Sequence, residues 1–406
     1  MATSAWLPVP EALARVLASA PHPLPAESVR LAQAAGRTLA CDLAARRTQP
    51  PFAASAMDGY AVIAADIASV PATLKLIGAS AAGHGFAGEV SRGEAVRIFT
   101  GAPVPDGADV VVIQEDTTTD GATVTALQSE LAGRNIRRAG LDFANGDVLL
   151  RKGHRLGPCE LALAAAMNHG ALDVTRKPRV ALLAPGDELV QPGQNPGPDQ
   201  IVASNTFAVR AYAEAAGAEV IDLGIAADTF DALERGIRAA RDARADVLVT
   251  LGGASVGDHD LVQTALTREG MDLAFWKIAM RPGKPLMHGK IGDMRILGLP
   301  GNPVSAIVCG VLFLKPLIRA LCGDRDAGRD PSEPAFLGAD LKANDSRQDY
   351  MRATLTPGGD GLPVATPFGR QDSSMLRVLA QSECLVVRTA NAPAAKIGDA
   401  CRVVRL

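Results

Sequence analysis

The stretch ADVLVTLGGASVGDHD, residues 245–260, decides the fold that this sequence predicts. Its first half, residues 245–251, is a short aliphatic run of the kind that forms a strand buried on both faces. Two glycines follow directly, and a polar segment then leads into helical apolar spacing over residues 258–269. A buried strand, a glycine turn and a helix in this order indicate one unit of a parallel α/β sheet.

The same alternation continues on both sides of this stretch. The sequence predicts strands at residues 179–184, 219–223, 245–251 and 295–299, and helices at residues 205–216, 229–241, 258–269 and 304–321. This rhythm predicts a three-layer α/β domain with a mostly parallel sheet. A charged, proline-bearing segment at residues 324–334 indicates its C-terminal boundary.

The segments on either side of this region have different sequence patterns. Residues 9–36 and 160–168 carry helical apolar spacing, whereas residues 48–146 and the C-terminal part consist of β-rich runs between Gly, Pro and Asp turns. We therefore predict a multidomain α/β protein with four parts, namely a discontinuous helical supporting and dimerisation domain (1–47 and 146–177), an inserted β-rich domain (48–145), the α/β domain (178–325) and a small C-terminal β-barrel (326–406).

Composition excludes several classes of protein. The chain has 406 residues and a net charge of −3, and this near balance disfavours an extended nucleic-acid surface. Its six cysteines form no CxxC pair, which excludes a zinc or redox site of that kind. Residues 296–314 are uncharged over the length of a membrane span, but the Pro-Gly-Asn-Pro run at 300–303 interrupts them. With no secretory signal pattern at the N-terminus, we expect a cytoplasmic protein that binds neither membrane nor nucleic acid.

Polar and glycine residues follow each predicted parallel strand, at the sheet edge where ligands bind in such folds. Glu188 and Asp228 follow the first two strands, a glycine loop at 252–257 follows the third, and residues 300–305 follow the last. The glycine loop leads into a helix, whose free N–H groups favour a phosphate or another oxyanion. Carboxylates are Mg²⁺ ligands in phosphoryl chemistry. Structural interpretations stay open, since glycine loops also form turns and Asp258 is in a position to cap a helix.

A second candidate binding segment is WKIAMRPGKP, residues 276–285, which brings Lys277, Arg281 and Lys284 close together. Three cations beside a glycine loop suit a multiply charged ligand, and the two prolines restrict the backbone. The alternative is a solvated basic loop, the usual environment of a charge run. From the residues alone, we predict a cytoplasmic, anion-binding α/β enzyme with accessory β domains.

Eight stretches together resemble the molybdopterin molybdenumtransferase family, the group of MoeA and the gephyrin E domain. In chain order they are SAMDGYAV (55–62), RIFTGAPVP (97–105), GADVVVIQEDT (107–117), RRAGLDF (137–143), PRVALLAPGDEL (178–189), GGASVGDHD (252–260), FWKIAMRPGKP (275–285) and GLPGNPVSA (298–306). A looser match covers RQDYMR (347–352) and QDSS (371–374). The chain departs from the family at Ala184-Pro185, where a hydroxyl-bearing pair is usual.

The resemblance implies the last step of molybdenum cofactor synthesis. The implied substrates are adenylylated molybdopterin and molybdate; molybdenum is delivered to the dithiolene and AMP is released. Mg²⁺ is the implied cofactor. The resemblance also implies an elongated homodimer of four-domain subunits, with other molybdenum-cofactor synthesis proteins as further partners.

Residue by residue, the resemblance implies a cleft shared between two subunits. Glu188 and Asp228 are implied as catalytic residues and Mg²⁺ ligands, while Asp58, Thr100 and Asp142 are implied as catalytic residues on the β-rich domain that act in trans. The implied substrate-binding residues are Gly252, Gly253, Ser255, Gly257, Asp258, Lys277, Arg281, Pro282, Gly283, Lys284, Pro300, Gly301, Asn302, Pro303 and Ser305.

Two alternative functions remain at this point. A molybdopterin adenylyltransferase uses a domain similar to residues 178–325 but usually without accessory β domains. A scaffold or anchoring protein with a relict site is the alternative from another class, although the site-like loops look intact. The sequence does not distinguish molybdate from tungstate.

Overall fold

The computed structural model describes residues 6–253, 261–359 and 361–406. Three six-stranded sheets organise these described residues, one in the β-rich region, one in the α/β region and one at the C-terminus. The fold class is therefore the predicted one, a multidomain α/β protein with β-rich accessory domains.

The N-terminal region combines predicted helices with a strand that the sequence did not predict. Helices Val9–Ala18 and Pro158–Ala166 lie within the two segments of helical spacing. Between them, strand Ala26–Arg30 pairs antiparallel with Ala171–Thr175. The prediction of helical structure as far as residue 36 is wrong, because three prolines between residues 21 and 25 end the helix and each removes a backbone donor.

Residues 48–145 form a mixed sheet whose strands, in spatial order, are Val110–Ile113, Gly59–Val62, Glu94–Ile98, Ala72–Ser80, Thr123–Ala126 and Thr117–Thr119. Two short antiparallel pairs lie beside it, Ala54–Ser55 with Ile136–Arg137 and Leu43–Ala44 with Val148–Leu150. Short 3₁₀ turns occur at Leu31–Gln33, Ala64–Ile67 and Gln114–Asp116. Within the described residues, the hydrogen bonds and ion pairs of this domain have partners between residues 48 and 147. The domain is thus an insertion held mainly by its own contacts.

The α/β region has the predicted sheet with two additional strands. The spatial order is Glu219–Ala226, Arg179–Pro185, Val247–Leu251, Met294–Leu299, Met287–Ile291 and Asp272–Trp276. The first four strands pair in parallel, and the last two, which were not predicted, pair antiparallel. A short parallel pair, Leu189–Val190 with Ile201–Val202, follows strand Arg179–Pro185 along the chain. The two added strands contain polar residues and so lack the unbroken aliphatic run that marks a doubly buried strand.

Apolar side chains cover both faces of this sheet. Leu182 packs in one hydrophobic cluster and its neighbour Leu183 in the other, since successive strand residues point to opposite faces. The helices of the region are Asn205–Ala216, Phe230–Asp242, Leu261–Arg268, Pro303–Cys309 and Lys315–Leu321, with a π-helical segment Gly310–Leu314 joining the last two. This arrangement is the three-layer architecture that the alternating sequence pattern predicts.

One helical segment, Pro303–Leu321, is long and apolar enough to cross a membrane. However, 78% of its most apolar window is buried inside the protein. Phe313, Leu314 and Leu317 have no exposed surface within the main hydrophobic cluster. The segment is the core helix of the α/β domain, and this agrees with the interpretation of the interrupted apolar run.

The C-terminal strands close into a five-stranded barrel. They are Ser332–Leu337, Gln348–Thr356, Val364–Pro367, Cys384–Arg388 and Ala400–Arg405. A short helix, Leu376–Ala380, lies between two of them. Strand Met280–Arg281 of the cationic segment joins this sheet by pairing in parallel with Gln348 and Asp349. The barrel is therefore attached to the domain that carries the candidate site.

Candidate active site

A cleft of about 570 Å³ opens at the carboxyl ends of the parallel strands. Its walls come from the residues at and after the carboxyl ends of all four parallel strands, from strand Ile201–Val202 and the start of helix Asn205–Ala216, from Pro285 and from one loop of the barrel. The lining residues are Ala184, Pro185, Gly186, Glu188, Leu189, Ile201, Val202, Ala203, Ser204, Asn205, Thr206, Asp228, Leu251, Gly252, Gly253, Pro285, Pro300, Gly301, Asn302, Pro303 and Ser374. The cleft thus brings together Glu188, Asp228, Gly252, Gly253 and the whole 300–303 loop.

The glycines at the end of strand Val247–Leu251 allow backbones to approach closely. Gly252 has φ +119°, and a Cβ there would lie 3.8 Å from the Cα of Gly301. Its N–H donates to the Leu299 carbonyl at 3.0 Å, so this amide is engaged within the sheet. Gly253 has φ +67°, and a Cβ there would lie 2.0 Å from Cγ2 of Val262. Only glycine fits this position without displacing the following helix.

Gly253→Ala is therefore expected to destabilise the α/β domain. The positive φ alone costs about 1 kcal/mol for a residue with a Cβ, and the clash adds roughly 1–3 kcal/mol of overpacking. Gly270→Ala is the matched control, because Gly270 has φ +90° but no atom within 4 Å of a built Cβ. Thermal unfolding of the two variants separates these costs. Equal losses of stability would contradict a packing role for Gly253.

Carboxylates form one wall of the cleft. Glu188 and Asp228 both line it, and the Asp228 N–H donates to Oδ1 of Asp187 at 3.1 Å. Partial desolvation, with further contributions from the charges of Asp187 and Glu188, raises the pKa of Asp228. A Cβ at Gly186 would lie 2.5 Å from Oε2 of Glu188, so a larger residue there would displace this carboxylate. The arrangement gathers negative charge at one edge of the cleft.

This donor set is compatible with Mg²⁺. Among the described residues, no group of three or more His, Cys, Asp or Glu side chains forms a metal-binding cluster. Mg²⁺, however, commonly uses one or two protein carboxylates and completes its octahedral shell with water and phosphate oxygens. Glu188 and Asp228, whose mutual repulsion a cation relieves, meet that requirement.

The 300–303 loop is held from two sides. The amide Nδ2 of Asn205 donates to the carbonyl of Gly301 at 2.7 Å. On the other side, Nδ2 of Asn302 donates to the hydroxyl of Ser373 at 3.0 Å, and the N–H of Val304 donates to the Ser373 carbonyl at 3.0 Å. The loop therefore joins the α/β domain to the barrel across the cleft.

A buried arginine supports the barrel loop that reaches the cleft. Arg352 is 1% exposed, and its guanidinium donates to the carbonyls of Asp372 and Met375. Gln371 accepts from the backbone N–H of Arg352 at 3.0 Å. These contacts fix residues 371–375 so that Ser374 lines the cleft. The sequence argument did not assign Ser374 to the site, although the looser C-terminal match contained it.

The cationic segment does not line the cleft, except at Pro285. The Nζ atoms of Lys277 and Lys284 lie 4.0 Å from the ring centroids of Trp276 and Trp6, respectively. Pro282 and Gly283 lie between Lys277 and Lys284 in the sequence. A Cβ at Gly283 would lie 2.6 Å from Sγ of Cys309. Ser305 is also outside the lining, because it is 4% exposed within helix Pro303–Cys309. These residues lie outside the lining of this cleft, and their contacts with a ligand stay a prediction.

Arg281 contacts the barrel. Its guanidinium forms an ion pair with Asp349, a second with Asp345 at 3.1 Å, and a hydrogen bond to Oδ1 of Asn344 at 3.2 Å. Burial raises the pKa of Asp349, an effect that the Arg281 charge opposes. The other Asp349 oxygen, Oδ1, is buried without a hydrogen-bond partner in the described structure.

We expect Arg281→Ala to lower the stability of the barrel by roughly 1–3 kcal/mol, since it leaves the Asp349 carboxylate without its main donor. Adding Asp349→Asn to that variant should recover part of the loss, because no unpaired charge remains. Calorimetric unfolding measures both. If Arg281→Ala instead weakens binding of an oxyanion and leaves unfolding unchanged, Arg281 belongs to a ligand site and not to the domain interface.

Two of the three predicted residues of the β-rich domain, Asp58 and Thr100, contact each other. The N–H and the hydroxyl of Thr100 both donate to Oδ1 of Asp58 at 2.7 Å, and these bonds lower the pKa of Asp58. Asp142 is exposed in the 138–143 turn. None of the three lines the cleft among the residues that the structure describes. The predicted binding residues Ser255, Gly257 and Asp258 lie outside the described residues.

Comparison with known proteins covers nearly the whole chain. Residues 7–168 match the MoeA N-terminal region (domain I and II), residues 181–320 a probable molybdopterin binding domain, and residues 334–406 the MoeA C-terminal region (domain IV). A protein of Haemophilus influenzae named molybdopterin molybdenumtransferase is 36% identical over 94% of both chains. Its namesake from Bacillus subtilis is 35% identical over 89% of this chain and 85% of its own.

A solved structure has the same architecture. The crystal structure of a molybdopterin biosynthesis MoeA protein from Pyrococcus horikoshii superposes with a TM-score of 0.80 and 28% identity. The match covers 98% of this chain and 99% of that one. The three sheets described above therefore occur together in a protein of this kind.

Proposed function

The chain belongs to the molybdopterin molybdenumtransferase family, and from that premise we propose that it inserts molybdenum into adenylylated molybdopterin and releases AMP. The product is the molybdenum cofactor, so the chain is a transferase of molybdenum cofactor biosynthesis. The observation that carries the proposal is the cleft itself, in which two carboxylates, paired glycines and the 300–303 loop converge at the carboxyl ends of the strands.

The chain's own residues have distinct tasks in this reaction. Gly252 and Gly253 let a substrate lie against the backbone, and the loop from Pro300 to Pro303 lines the cleft directly beside them. Glu188 and Asp228 orient water and the phosphoanhydride that joins AMP to molybdopterin. Molybdate enters as a substrate. When Mg²⁺ is bound at Glu188 and Asp228, it supplies positive charge that stabilises phosphate oxygens.

The proposal includes a homodimer in which each subunit contributes to the cleft of the other. Asp58, Thr100 and Asp142 do not line the cleft of their own chain, yet exposed apolar residues stand beside each of them. Met57 is 42% exposed, Phe99 40% and Leu141 57%. Ile201 on the cleft rim is 59% exposed. Exposed apolar side chains beside the candidate catalytic residues suit a contact between two copies of this chain. Two-fold symmetry then gives each cleft one wall from the partner subunit.

The alternative functions predict different reactants. A molybdopterin adenylyltransferase consumes ATP together with molybdopterin, whereas the proposed enzyme requires substrate that is already adenylylated and uses molybdate. ATP consumption by the pure protein with free molybdopterin would overturn the proposal. A scaffold with a relict site predicts that a strain lacking the chain keeps its molybdoenzyme activity. The proposed enzyme predicts loss of that activity and rescue by high molybdate.

We also infer the cellular setting from this function. A biosynthetic enzyme that handles a cofactor intermediate works in the cytoplasm, beside the other molybdenum-cofactor synthesis proteins that supply and accept the intermediate. Nucleic acid and membrane are not expected partners, in keeping with the net charge of −3 and the buried apolar helix.

A further inference from the structure

The candidate catalytic residues Asp58 and Thr100 lie just beyond one end of a strand pair. Strand Gly59–Val62 pairs antiparallel with Glu94–Ile98, and the register of this pair ends at residues 59 and 98. Asp58 precedes the first strand and Thr100 follows the second, so both stand outside the paired region. They bond to each other through Oδ1 of Asp58, and this contact needs support from outside the strand pair.

The side chain of Arg97 provides contacts at this end of the pair. Its Nη1 donates to the carbonyl of Gly59 at 3.2 Å, and its Nη2 donates to Oε1 of Gln114 at 2.7 Å. The backbone N–H of Gln114 in turn donates to the Asp58 carbonyl at 3.0 Å. The guanidinium therefore joins the residue that follows Asp58 to a residue that is hydrogen-bonded to it.

Two aromatic rings fix the position of the same guanidinium. Its Cζ lies 4.9 Å from the ring centroid of Tyr60 and 5.1 Å from that of Phe99. A guanidinium is attracted to the face of an aromatic ring. Tyr60 is buried, whereas Phe99 is exposed and immediately precedes Thr100. Arg97 thus connects a buried ring to the residue that leads into Thr100.

The charge of Arg97 is not used in an ion pair within the described part of the chain, since both of its hydrogen-bond acceptors are neutral. The Asp58 carboxylate is held at Oδ1 only, so its Oδ2 is left for a substrate or water. Catalytic groups must be held in a narrow range of positions to act. We propose, on the basis of the proposed function, that Arg97 is a positioning residue that holds Asp58 and Thr100 in the arrangement in which they act on the substrate.

Hydrogen exchange at single amides tests this role without turnover. Arg97→Met keeps an unbranched side chain but removes the charge and both donors. In the full-length protein, it should speed exchange of the Thr100 N–H by about 10-fold or more, because the acceptor Asp58 is no longer held. The amides of strand Val110–Ile113 should change by less than about twofold, since a local opening leaves the rest of a sheet protected.

Arg92→Met is the matched control. Arg92 lies in the same domain, is largely exposed and forms its ion pair with Asp66. The same chemical change at this position should leave the exchange of Thr100 unaltered. A role of Arg97 in domain stability alone predicts a different pattern, in which Arg97→Met accelerates exchange throughout the sheet.

Single-turnover AMP release is the second readout. Arg97→Met should slow it by about 5- to 50-fold, as expected for a small displacement of catalytic groups. Arg97→Lys keeps the charge but cannot reach two acceptors as a fork, so its rate should be intermediate. In an Asp58→Ala background, Arg97→Met should cost less than about twofold, because the group on which it acts is gone.

The proposal is overturned if Arg97→Met leaves exchange of Thr100 unchanged, or if it accelerates all strand amides of the domain equally. It is also overturned if the loss of rate is as large in Asp58→Ala protein as in unchanged protein. If Arg97→Met does not fold, Arg97→Lys is judged by the same criteria. Unchanged protein that releases no AMP contradicts the proposed function instead, and exchange of Thr100 still decides whether Arg97 holds the pair.

Discussion

Asp228→Ala is expected to reduce the rate of AMP release by about 10²-fold or more, the scale on which a positioned acid–base group contributes. Asp228 follows the end of a strand on the cleft wall, where partial desolvation and, to a smaller extent, nearby carboxylates raise its pKa. Because its side chain is not part of either hydrophobic cluster of the sheet, the variant should fold normally. Glu188→Ala is expected to behave in the same way.

Asp231→Ala is the matched control for this prediction. Asp231 is exposed in the first turn of the next helix and does not line the cleft, so its removal should leave AMP release within about twofold, as for most surface changes. Single-turnover measurement of AMP release with pre-adenylylated substrate gives the comparison. Near-normal turnover in Asp228→Ala would remove this residue from the mechanism.

The second large effect concerns the assembly of the cleft from two chains. Asp142→Ala and Asp228→Ala proteins are each expected to be nearly inactive, and mixing them with exchange of subunits should restore activity. Random pairing puts about half of the dimers in the mixed form. Each mixed dimer has one doubly altered cleft and one unaltered cleft, so about a quarter of all sites should recover.

Two controls make this experiment decisive. Sizing of the separate variants must show that each still dimerises, and a labelled subunit must show that exchange takes place. If the cleft is built within a single chain, every site in the mixture carries one substitution and no activity returns. An inactive mixture with proven exchange would therefore contradict a cleft shared between subunits.

The sequence predicts the α/β domain well because its signals are local. Each parallel strand is a largely aliphatic run, and each functional loop follows one directly, so Glu188, Asp228 and the 252–253 glycines fall at one sheet edge as expected.

The unpredicted parts of the site depend on contacts distant in sequence. Arg281 and Asp349 are 68 residues apart, and nothing local in the cationic segment indicates that its arginine faces a barrel. Ser374 reaches the cleft only because buried Arg352 holds its loop. In the sequence, Asn205 is in a position to cap a helix. In the structure its Nδ2 donates to the Gly301 carbonyl, and its Oδ1 has no hydrogen-bond partner among the described residues.

The central claim is that this chain transfers molybdenum to adenylylated molybdopterin, and one incubation tests it directly. The purified protein is mixed with adenylylated molybdopterin and Mg²⁺, with and without molybdate, and AMP and molybdenum cofactor are measured together. We expect AMP release that depends on molybdate and matches the cofactor formed. Adenylylated molybdopterin that remains intact in the presence of molybdate, Mg²⁺ and folded protein would contradict the claim.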